Sequence, residues 1–140
     1  MFFGKFYHNL DEKSRLMIPR KMREQINGRL YLLRGFDGCL SVYQESSFND
    51  YVNSLNSLPF TQKTTRDMQR LGLSSVVELE IDKQGRIQIP AQTIIEFHIS
   101  RSVVVVGVVN HFEIWNKESW DKYEEDNAKK YEETAEKLPL

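Results

Sequence analysis

Cysteine is almost missing from this chain of 140 residues, since Cys39 is the only one. One cysteine excludes a disulfide within the chain, and chains without disulfides are typical of the reducing cytosol. The three histidines, His8, His98 and His111, do not combine with Cys39 in any spacing typical of metal ligands. We therefore expect a cytoplasmic protein with no bound metal and no other cofactor.

Long hydrophobic runs are also missing. The longest one, VVVVGVV at residues 103–109, is far shorter than the roughly 20 residues that a membrane-spanning helix needs. The first ten residues, MFFGKFYHNL, lack the charged start, the extended apolar core and the cleavage site of an export signal. A hydrophobic content of 40% and a charged content of 28% are typical of globular proteins. These features predict a soluble folded protein that is neither exported nor inserted in a membrane.

Signatures of catalysis are absent as well. The sequence has no glycine-rich phosphate loop, no nucleophile elbow and no pair of carboxylates in a catalytic arrangement. Ser14 and Ser74 have no histidine partner and are more typical of turns than of nucleophiles. We therefore do not expect an enzyme, and we expect no small-molecule substrate.

One motif of nine residues occurs twice in the chain. Residues 11–19 read DEKSRLMIP and residues 82–90 read DKQGRIQIP, with Asp, Arg, an aliphatic residue and Pro at matching positions. A shift of 71 residues aligns the two motifs, and a shift of 72 aligns residues 29–43 with residues 101–115. Such internal similarity predicts two copies of one structural unit.

Both copies predict the same order of elements. Pro19 and Pro90 each stand where a helix would begin, because the first helical position tolerates a missing amide. Asp37 and Gly38 are typical of a tight hairpin turn. The predicted elements of the two copies are a first strand (about 3–10 and 76–81), a second strand (16–18 and 87–89), a short helix, a hairpin and a closing helix (44–58 and 117–138).

The chain therefore divides into two repeats. Residues 1–60 form the first repeat, with a core at about 5–47 and a following helix, and residues 61–74 form a helical linker. Residues 75–140 form the second repeat, with a core at about 76–119 and a C-terminal helix. One repeat is too small to bury a good core alone, so we expect both to pack into one β-rich α+β unit with approximate twofold symmetry. Its edge strands could then recruit further chains.

The charge is unevenly distributed although the net charge is only -1. Residues 1–35 contain eight basic and three acidic side chains, a net charge of +5, whereas residues 111–140 contain five basic and nine acidic ones, a net charge of -4. Such asymmetry indicates a basic binding surface and an acidic tail. The acidic tail is most simply a solvated face, although it could also repel DNA.

The repeated Asp-x-x-x-Arg loop is the main candidate site. The arginine fork matches the paired acceptors of guanine and the oxygens of phosphate, so Arg15 and Arg86 would contact nucleic acid. Asp11 and Asp82 would orient the loops by accepting hydrogen bonds. The alternative is that each Asp and Arg form an ordinary surface ion pair, which stabilises a protein by about 0 to 1 kcal/mol. Phosphate contacts would come from a wider set of basic residues, Lys13, Lys83, Arg20, Lys21 and Arg23.

With these two motifs, each followed by a hydrophobic hairpin and a helix with aromatic residues, the chain closely resembles the bacterial MraZ transcriptional regulators. That resemblance implies a pseudo-twofold swapped-hairpin β-barrel of the AbrB and SpoVT kind, built from both repeats. It also implies a ring-like homo-oligomer, associated with the nucleoid, that binds double-stranded DNA at short repeated G-rich boxes upstream of the division and cell-wall gene cluster. The residues that carry over as facing DNA are Asp11, Lys13, Arg15, Asp82 and Arg86.

The two motifs differ at one position that matters for the loop. Glycine is common just before the motif arginine in the family, as at Gly85, but the first motif has Ser14 there. If the position needs a positive φ angle, either Ser14 is strained or the first loop has a different shape.

A second function class remains open from the sequence. The same barrel could serve as an antitoxin-like or scaffold module for protein interaction, with the acidic C-terminal helix as its contact. Trp120, Tyr123 and Tyr131 in that helix have nearly helical spacing, which predicts either a packing stripe or a surface for a partner protein.

Overall fold

The computed structural model describes residues 1–139, which form eight strands and six helices. In chain order these are β1 (Lys5–Asn9), β2 (Arg15–Met17), α1 (Arg20–Arg23), β3 (Leu30–Arg34), β4 (Leu40–Gln44), α2 (Glu45–Asn56), α3 (Lys63–Leu73), β5 (Val77–Leu79), β6 (Arg86–Gln88), α4 (Ala91–Glu96), β7 (Ser102–Gly107), β8 (His111–Asn116), α5 (Lys117–Ala128) and α6 (Tyr131–Glu136).

Six strands form one antiparallel sheet in the order β1-β7-β8-β4-β3-β5. This order reads symmetrically outward from the central pair β8 and β4, because the first strand of each copy lies against the third strand of the other copy. Lys5 in β1 is paired with Val106 in β7, and Leu79 in β5 is paired with Leu30 in β3. The fold is therefore α+β and rich in antiparallel strands, and its two repeats are joined by exchanged strands.

The second strand of each copy lies outside this sheet. β2 and β6 pair only with each other, with Leu16 opposite Ile87, and form a ribbon of two strands. Leu16 and Ile87 are fully buried, so one face of the ribbon packs on the core. Strand pairing among residues 1–139 gives an open sheet and this separate ribbon, and it does not close a barrel.

The core lies between the sheet and the ribbon and is drawn from both copies. Its fully buried side chains include Leu16, Leu32 and Val42 from the first copy, together with Ile87 and Phe112 from the second. Burying such a side chain stabilises the fold by roughly 1.5 to 3 kcal/mol. Because the two sets form one contiguous cluster, neither copy has a complete core without the other.

The local elements follow the sequence closely. The helices expected after Pro19 and Pro90 begin there as α1 and α4. Asp37 and Gly38 both have positive φ angles, 61° and 88°, as the two central residues of a type I′ hairpin turn require. The segment 61–74, expected to be a helical linker, contains helix α3 at Lys63–Leu73.

The closing helix expected over residues 117–138 is present in two parts. Helix α5 ends at Ala128, and α6 begins at Tyr131. Lys130 between them has φ -106° and ψ 9°, outside helical geometry. Every residue from 125 to 139 is exposed, so no packing supports a longer helix there, and isolated helices of this length are marginal in water.

Among the helices of residues 1–139, none has both the length and the apolar character that crossing a bilayer requires.

Candidate nucleic-acid interface

The first loop is held by one carboxylate. The Asp11 Oδ1 atom accepts hydrogen bonds from the backbone N–H groups of Lys13 and Arg15, each at 2.9 Å. The Oδ2 atom accepts from Arg15 Nε at 2.6 Å. Two backbone bonds close the same turn, from Asp11 N–H to the Arg15 carbonyl and from Ser14 N–H to the Asp11 carbonyl, both at 3.0 Å. The aspartate thus orients both the backbone of the loop and its arginine.

The second loop repeats this arrangement atom for atom. Asp82 Oδ1 accepts from the backbone N–H groups of Gln84 and Arg86 at 2.9 Å, and Oδ2 accepts from Arg86 Nε at 2.9 Å. The same two backbone bonds close the turn, at 2.8 Å from Asp82 N–H and at 3.0 Å from Gly85 N–H. The shared motif therefore specifies one loop structure in both copies.

Both carboxylates are ionised at neutral pH. The backbone N–H of Arg15 is the main cause that holds the pKa of Asp11 below its usual value of 3.8, and the Arg15 side chain adds to it. The backbone N–H of Arg86 lowers the pKa of Asp82 in the same way. Each aspartate consequently stays a charged acceptor under physiological conditions.

The two loops lie side by side. Ile18 N–H donates to the Gly85 carbonyl at 3.0 Å, and Ile89 N–H donates to the Ser14 carbonyl at 2.9 Å. These two reciprocal bonds extend the pairing of β2 and β6 to the ends of the loops. Residues separated by about 70 positions in the chain are thereby brought to one surface.

Both arginines lie on the outer face of the ribbon. Side chains alternate along each strand, and since Leu16 and Ile87 are buried, their neighbours face outward. Arg15 stands opposite Gln88, and Arg86 stands opposite Met17. The side chains of Arg15 and Arg86 are 28% and 24% exposed.

Each guanidinium is anchored by Nε, which leaves its Nη donors for other partners. Within residues 1–139 the Arg15 side chain makes one hydrogen bond, through Nε. Arg86 adds a weak bond from Nη2 to Gln84 Oε1 at 3.4 Å, and its Nη1 lies 4.0 Å from Asp11 Oδ2. The predicted ion pairs are thus present, and they hold both guanidinium forks on one face.

This pair of loops is accompanied by a match over nearly the whole chain. A family model described as "MraZ protein, putative antitoxin-like" matches residues 1–71 and matches again at residues 73–139. The chain belongs to the MraZ family. Proteins named "Transcriptional regulator MraZ" are 41% identical to it in Heliobacterium modesticaldum, 39% in Desulforamulus reducens and 38% in Lactobacillus helveticus.

Each of these relatives aligns over 138 residues, which cover 99% of this chain and 96 or 97% of the relative. The resemblance found in the two motifs is confirmed. This MraZ-family chain is a transcriptional regulator and not an enzyme.

The position before the motif arginine has a positive φ angle in both loops of this MraZ-family chain, 58° at Ser14 and 85° at Gly85. Ser14 therefore adopts the left-handed conformation that its loop requires, with the strain that a side chain brings there. The two loops do not differ in shape.

The environments of Ser14 and Gly85 differ more than their backbones do. A Cβ atom at Gly85 would overlap the Arg23 guanidinium and would lie 2.5 Å from Arg23 Cδ. Arg23 from α1 of the first copy thus packs across the loop of the second copy. Its Nε is buried and has no hydrogen-bond partner within residues 1–139. The sequence indicated Arg23 as a phosphate contact and held no signal for this packing.

The other basic residues that the sequence predicts as phosphate contacts lie at the surface. Lys13, Lys83, Arg20 and Lys21 are all exposed. Arg20 lies 3.4 Å from Glu24 in an exposed ion pair of the kind that contributes little stability. The positions of α4 that match Arg20 and Lys21 hold Ala and Gln, so this basic helix surface exists only in the first copy.

A second polar cluster ties the acidic helix α5 to strand β1, and no sequence pattern indicates it. Lys5 Nζ donates to Glu124 at 2.5 Å, and the Tyr7 hydroxyl donates to Asp121 at 3.2 Å. Lys117 lies 2.7 Å from Asp121 as well. Much of the negative charge of the α5 carboxylates is therefore neutralised by ion pairs within the chain.

The histidines and the cysteine do not form a cluster. Within residues 1–139, no group of three His, Cys, Asp or Glu side chains is arranged to hold a metal ion. Cys39 is buried, and burial raises the pKa of its thiol.

Proposed function

We propose that this chain regulates transcription by binding double-stranded DNA through its two Asp-x-x-x-Arg loops. The observation that carries the proposal is the reciprocal hydrogen bonding of the loops, which brings Arg15 and Arg86 to one face of a two-stranded ribbon. A ribbon of this width fits the major groove of B-DNA, where β-ribbon proteins read base edges.

Each arginine would contact guanine through its Nη donors. The O6 and N7 atoms of guanine form a pair of acceptors that matches the guanidinium fork, and each good bidentate pair contributes about 1 to 3 kcal/mol of discrimination. Asp11 and Asp82 would hold the forks by Nε, which fixes their direction before DNA binds. We propose short repeated G-rich boxes in promoter DNA, upstream of the division and cell-wall gene cluster, as the target.

The phosphate contacts in this proposal come from Lys13, Lys83, Arg20 and Lys21. They are exposed, and Lys13 and Lys83 lie within the loops themselves. Such contacts position a protein on the duplex without reading its sequence, and they make binding sensitive to salt.

The swapped-hairpin barrel belongs to the same proposal. Exchange of the first strands between the copies supports it, as does the shared core. The division into repeats at 1–60 and 75–140, with residues 61–74 as a linker, remains part of the proposal, as does a cytoplasmic, nucleoid-associated location.

We further propose that several chains assemble into a ring. One chain presents few basic side chains around the ribbon, whereas several like-oriented copies would multiply the contacts along directly repeated boxes. A ring of like-oriented subunits fits direct repeats, whereas an isolated twofold dimer would favour a palindrome.

A protein-interaction function of the antitoxin-like kind is the second candidate. It is favoured by the exposed helix α6, which has no buried residue. In that case the protein would bind its own upstream DNA no better than unrelated DNA.

The test is DNA binding by single arginine variants. We expect Arg86→Ala and Arg15→Ala each to weaken binding to the protein's own upstream DNA by roughly tenfold or more in fluorescence anisotropy, since each removes a base contact. Arg70→Ala, which removes the same charge from the exposed surface of α3, is the matched control and should bind normally. Full-strength binding by Arg86→Ala would contradict the proposed mechanism.

A further inference from the structure

Within residues 1–139, helix α6 has no buried residue. All residues from 125 to 139 are exposed, including Tyr131 at 77% and Leu138 at 53%. Tyr131, Ala135 and Leu138 are spaced by four and three residues, so they form one apolar stripe along the helix and its last turn. The expected packing stripe of Trp120, Tyr123 and Tyr131 is therefore incomplete, because only the first two pack on Trp115.

One flank of this stripe is acidic. Glu132 and Glu136, one turn apart, lie on the same side of the stripe. The opposite flank is basic, because Lys130 and Lys137 lie there just outside the bounds of α6. An apolar stripe with carboxylates along one flank fits an apolar groove with a basic group at the matching edge.

The molecule has such a groove at its N-terminal end, which we call the N-terminal groove. It has a volume of about 330 Å³ and is lined by Met1, Phe3, Gly4, Lys5, Phe6, Lys21, Met22 and Gln25. Phe3 is 69% exposed and Met1 is 77% exposed, so large apolar side chains stand free there. The groove has two lysines and no acidic residue in its lining.

The basic charge of the groove is available mainly through Lys21. Lys5 is already paired with Glu124 of α5. Within residues 1–139 the Lys21 ammonium forms no ion pair, and its neighbour Gln25 lies one turn further along the same side of the chain. A carboxylate at the edge of the groove would therefore meet an unpaired lysine.

We propose that α6 of one copy docks in the N-terminal groove of a second copy, with Tyr131 and Leu138 against Phe3 and Met1. Within one chain both surfaces remain exposed, so the helix does not fill its own groove. Two different surfaces form this contact, and a contact of that kind produces a ring when its rotation closes. The inference rests on the self-assembly part of the proposed function and is independent of the arginine loops. In the assembled ring it assigns Lys21 to the neighbouring helix, so that Lys13, Lys83 and Arg20 remain for phosphate.

The first test is the mass of the assembly, measured by light scattering over a dilution series without DNA. Tyr131→Glu and Phe3→Glu should each raise the concentration at which the assembly dissociates by roughly tenfold, because each places a charge in a desolvated contact. Ile95→Glu is the matched control, since Ile95 is 74% exposed on α4 and lies outside both surfaces. All three sites are exposed, so circular dichroism should show an unchanged fold.

A charge exchange tests the pairing itself. A chain with Glu132→Lys and Glu136→Lys should fail to assemble, and a chain with Lys21→Glu should assemble poorly. When they are mixed, each altered helix meets a complementary groove, so assemblies of mixed composition should return. Failure of the mixture to assemble would overturn the proposed contact, and the absence of DNA keeps this result separate from any role of Lys21 on phosphate.

Crosslinking identifies the occupant of the groove. Phe3→Cys combined with Leu138→Cys should give a ladder of covalent multimers on oxidation, and Cys39 should not compete because it is 2% exposed. A crosslink within single chains, or none in a protein that still assembles, would overturn the inference while leaving the DNA function intact. A wild-type protein that is monomeric at all concentrations would overturn both this inference and the ring. The DNA function would still be tested separately, by measuring how strongly the Arg86→Ala variant binds DNA.

Discussion

The two Asp-x-x-x-Arg loops have the same internal hydrogen bonds and different surroundings. In both, one aspartate holds two backbone N–H groups and the arginine Nε, at distances between 2.6 and 2.9 Å. The first loop is followed by the basic helix α1, whereas the second is followed by α4, which has no basic residue. The internal structure of a loop is thus set by its own motif, and its electrostatic environment is set by other parts of the chain.

The packing of α1 against the second loop reduces this difference between the loops. Arg23 belongs to the first copy by sequence, yet its side chain packs on Gly85 of the second loop. A basic residue that follows the first motif in the sequence therefore packs against the second loop in the folded chain. The net charge counted along the sequence overstates how unequal the two loops are.

The largest expected effect on stability comes from a substitution that should affect the two loops differently. Gly85→Ala places a methyl group at φ 85° against Arg23, and we expect it to lower the free energy of unfolding by about 1 to 2 kcal/mol. Ser14→Ala changes a residue that already has a side chain at φ 58°, so its effect should stay within about 0.5 kcal/mol. Denaturant titration at one fixed protein concentration measures both.

Arg23→Ala supplies the control for this comparison. In the Gly85→Ala background it removes the overlapping side chain and should restore part of the lost stability. Equal effects of Gly85→Ala and Ser14→Ala would contradict the assigned role of Arg23.

A smaller effect should be shared equally by the loops and should appear only in acid. The pKa values of Asp11 and Asp82 are lowered in the folded chain, so their contribution to stability is fully present above the ordinary value of 3.8. It is lost as the pH falls through the lower folded values, where both carboxylates become protonated. The stability difference between wild type and each of Asp11→Asn and Asp82→Asn should be constant near neutral pH and should shrink below pH 3.8.

That acid titration has a clear contrary outcome. If only one of the two asparagine variants shows a stability difference that shrinks in acid, the loops are not equivalent in solution.

The smallest effect concerns the basic helix that only the first copy has. Ala91→Arg would give α4 the basic side chain that Arg20 supplies on α1. We expect the logarithmic dependence of DNA affinity on salt concentration to steepen by about 0.9 for each added phosphate contact. Arg20→Ala should make it shallower by a similar amount, and an unchanged slope in both variants would place these helices away from the phosphates.

Much of the fold could be predicted because it depends on local chemistry. The helices after Pro19 and Pro90 and the hairpin turn at Asp37 and Gly38 follow from preferences of single residues. The break in the C-terminal helix was not predicted, because helical spacing alone cannot show whether a helix has anything to pack against. Residues 125–139 are all exposed, and the helix breaks at Lys130.

The candidate site was predictable in part for the same reason. The hydrogen bonds of Asp11 to Arg15 join residues four positions apart, so the motif itself indicates them. The packing of Arg23 on Gly85 joins residues 62 positions apart, and nothing in either segment indicates the other. The roles of the arginines on DNA remain a prediction.

By itself, the sequence determined that the chain contains two copies of one unit and that each copy has a loop held by an aspartate. The partners of those hydrogen bonds lie within nine residues, so few other arrangements compete with them. Only the tertiary structure decided that β1 pairs with β7 and β5 with β3, and that the two loops meet at one surface. Those contacts join residues between 45 and 101 positions apart in the chain, and the free energy for closing such loops comes from a core that neither copy can complete alone.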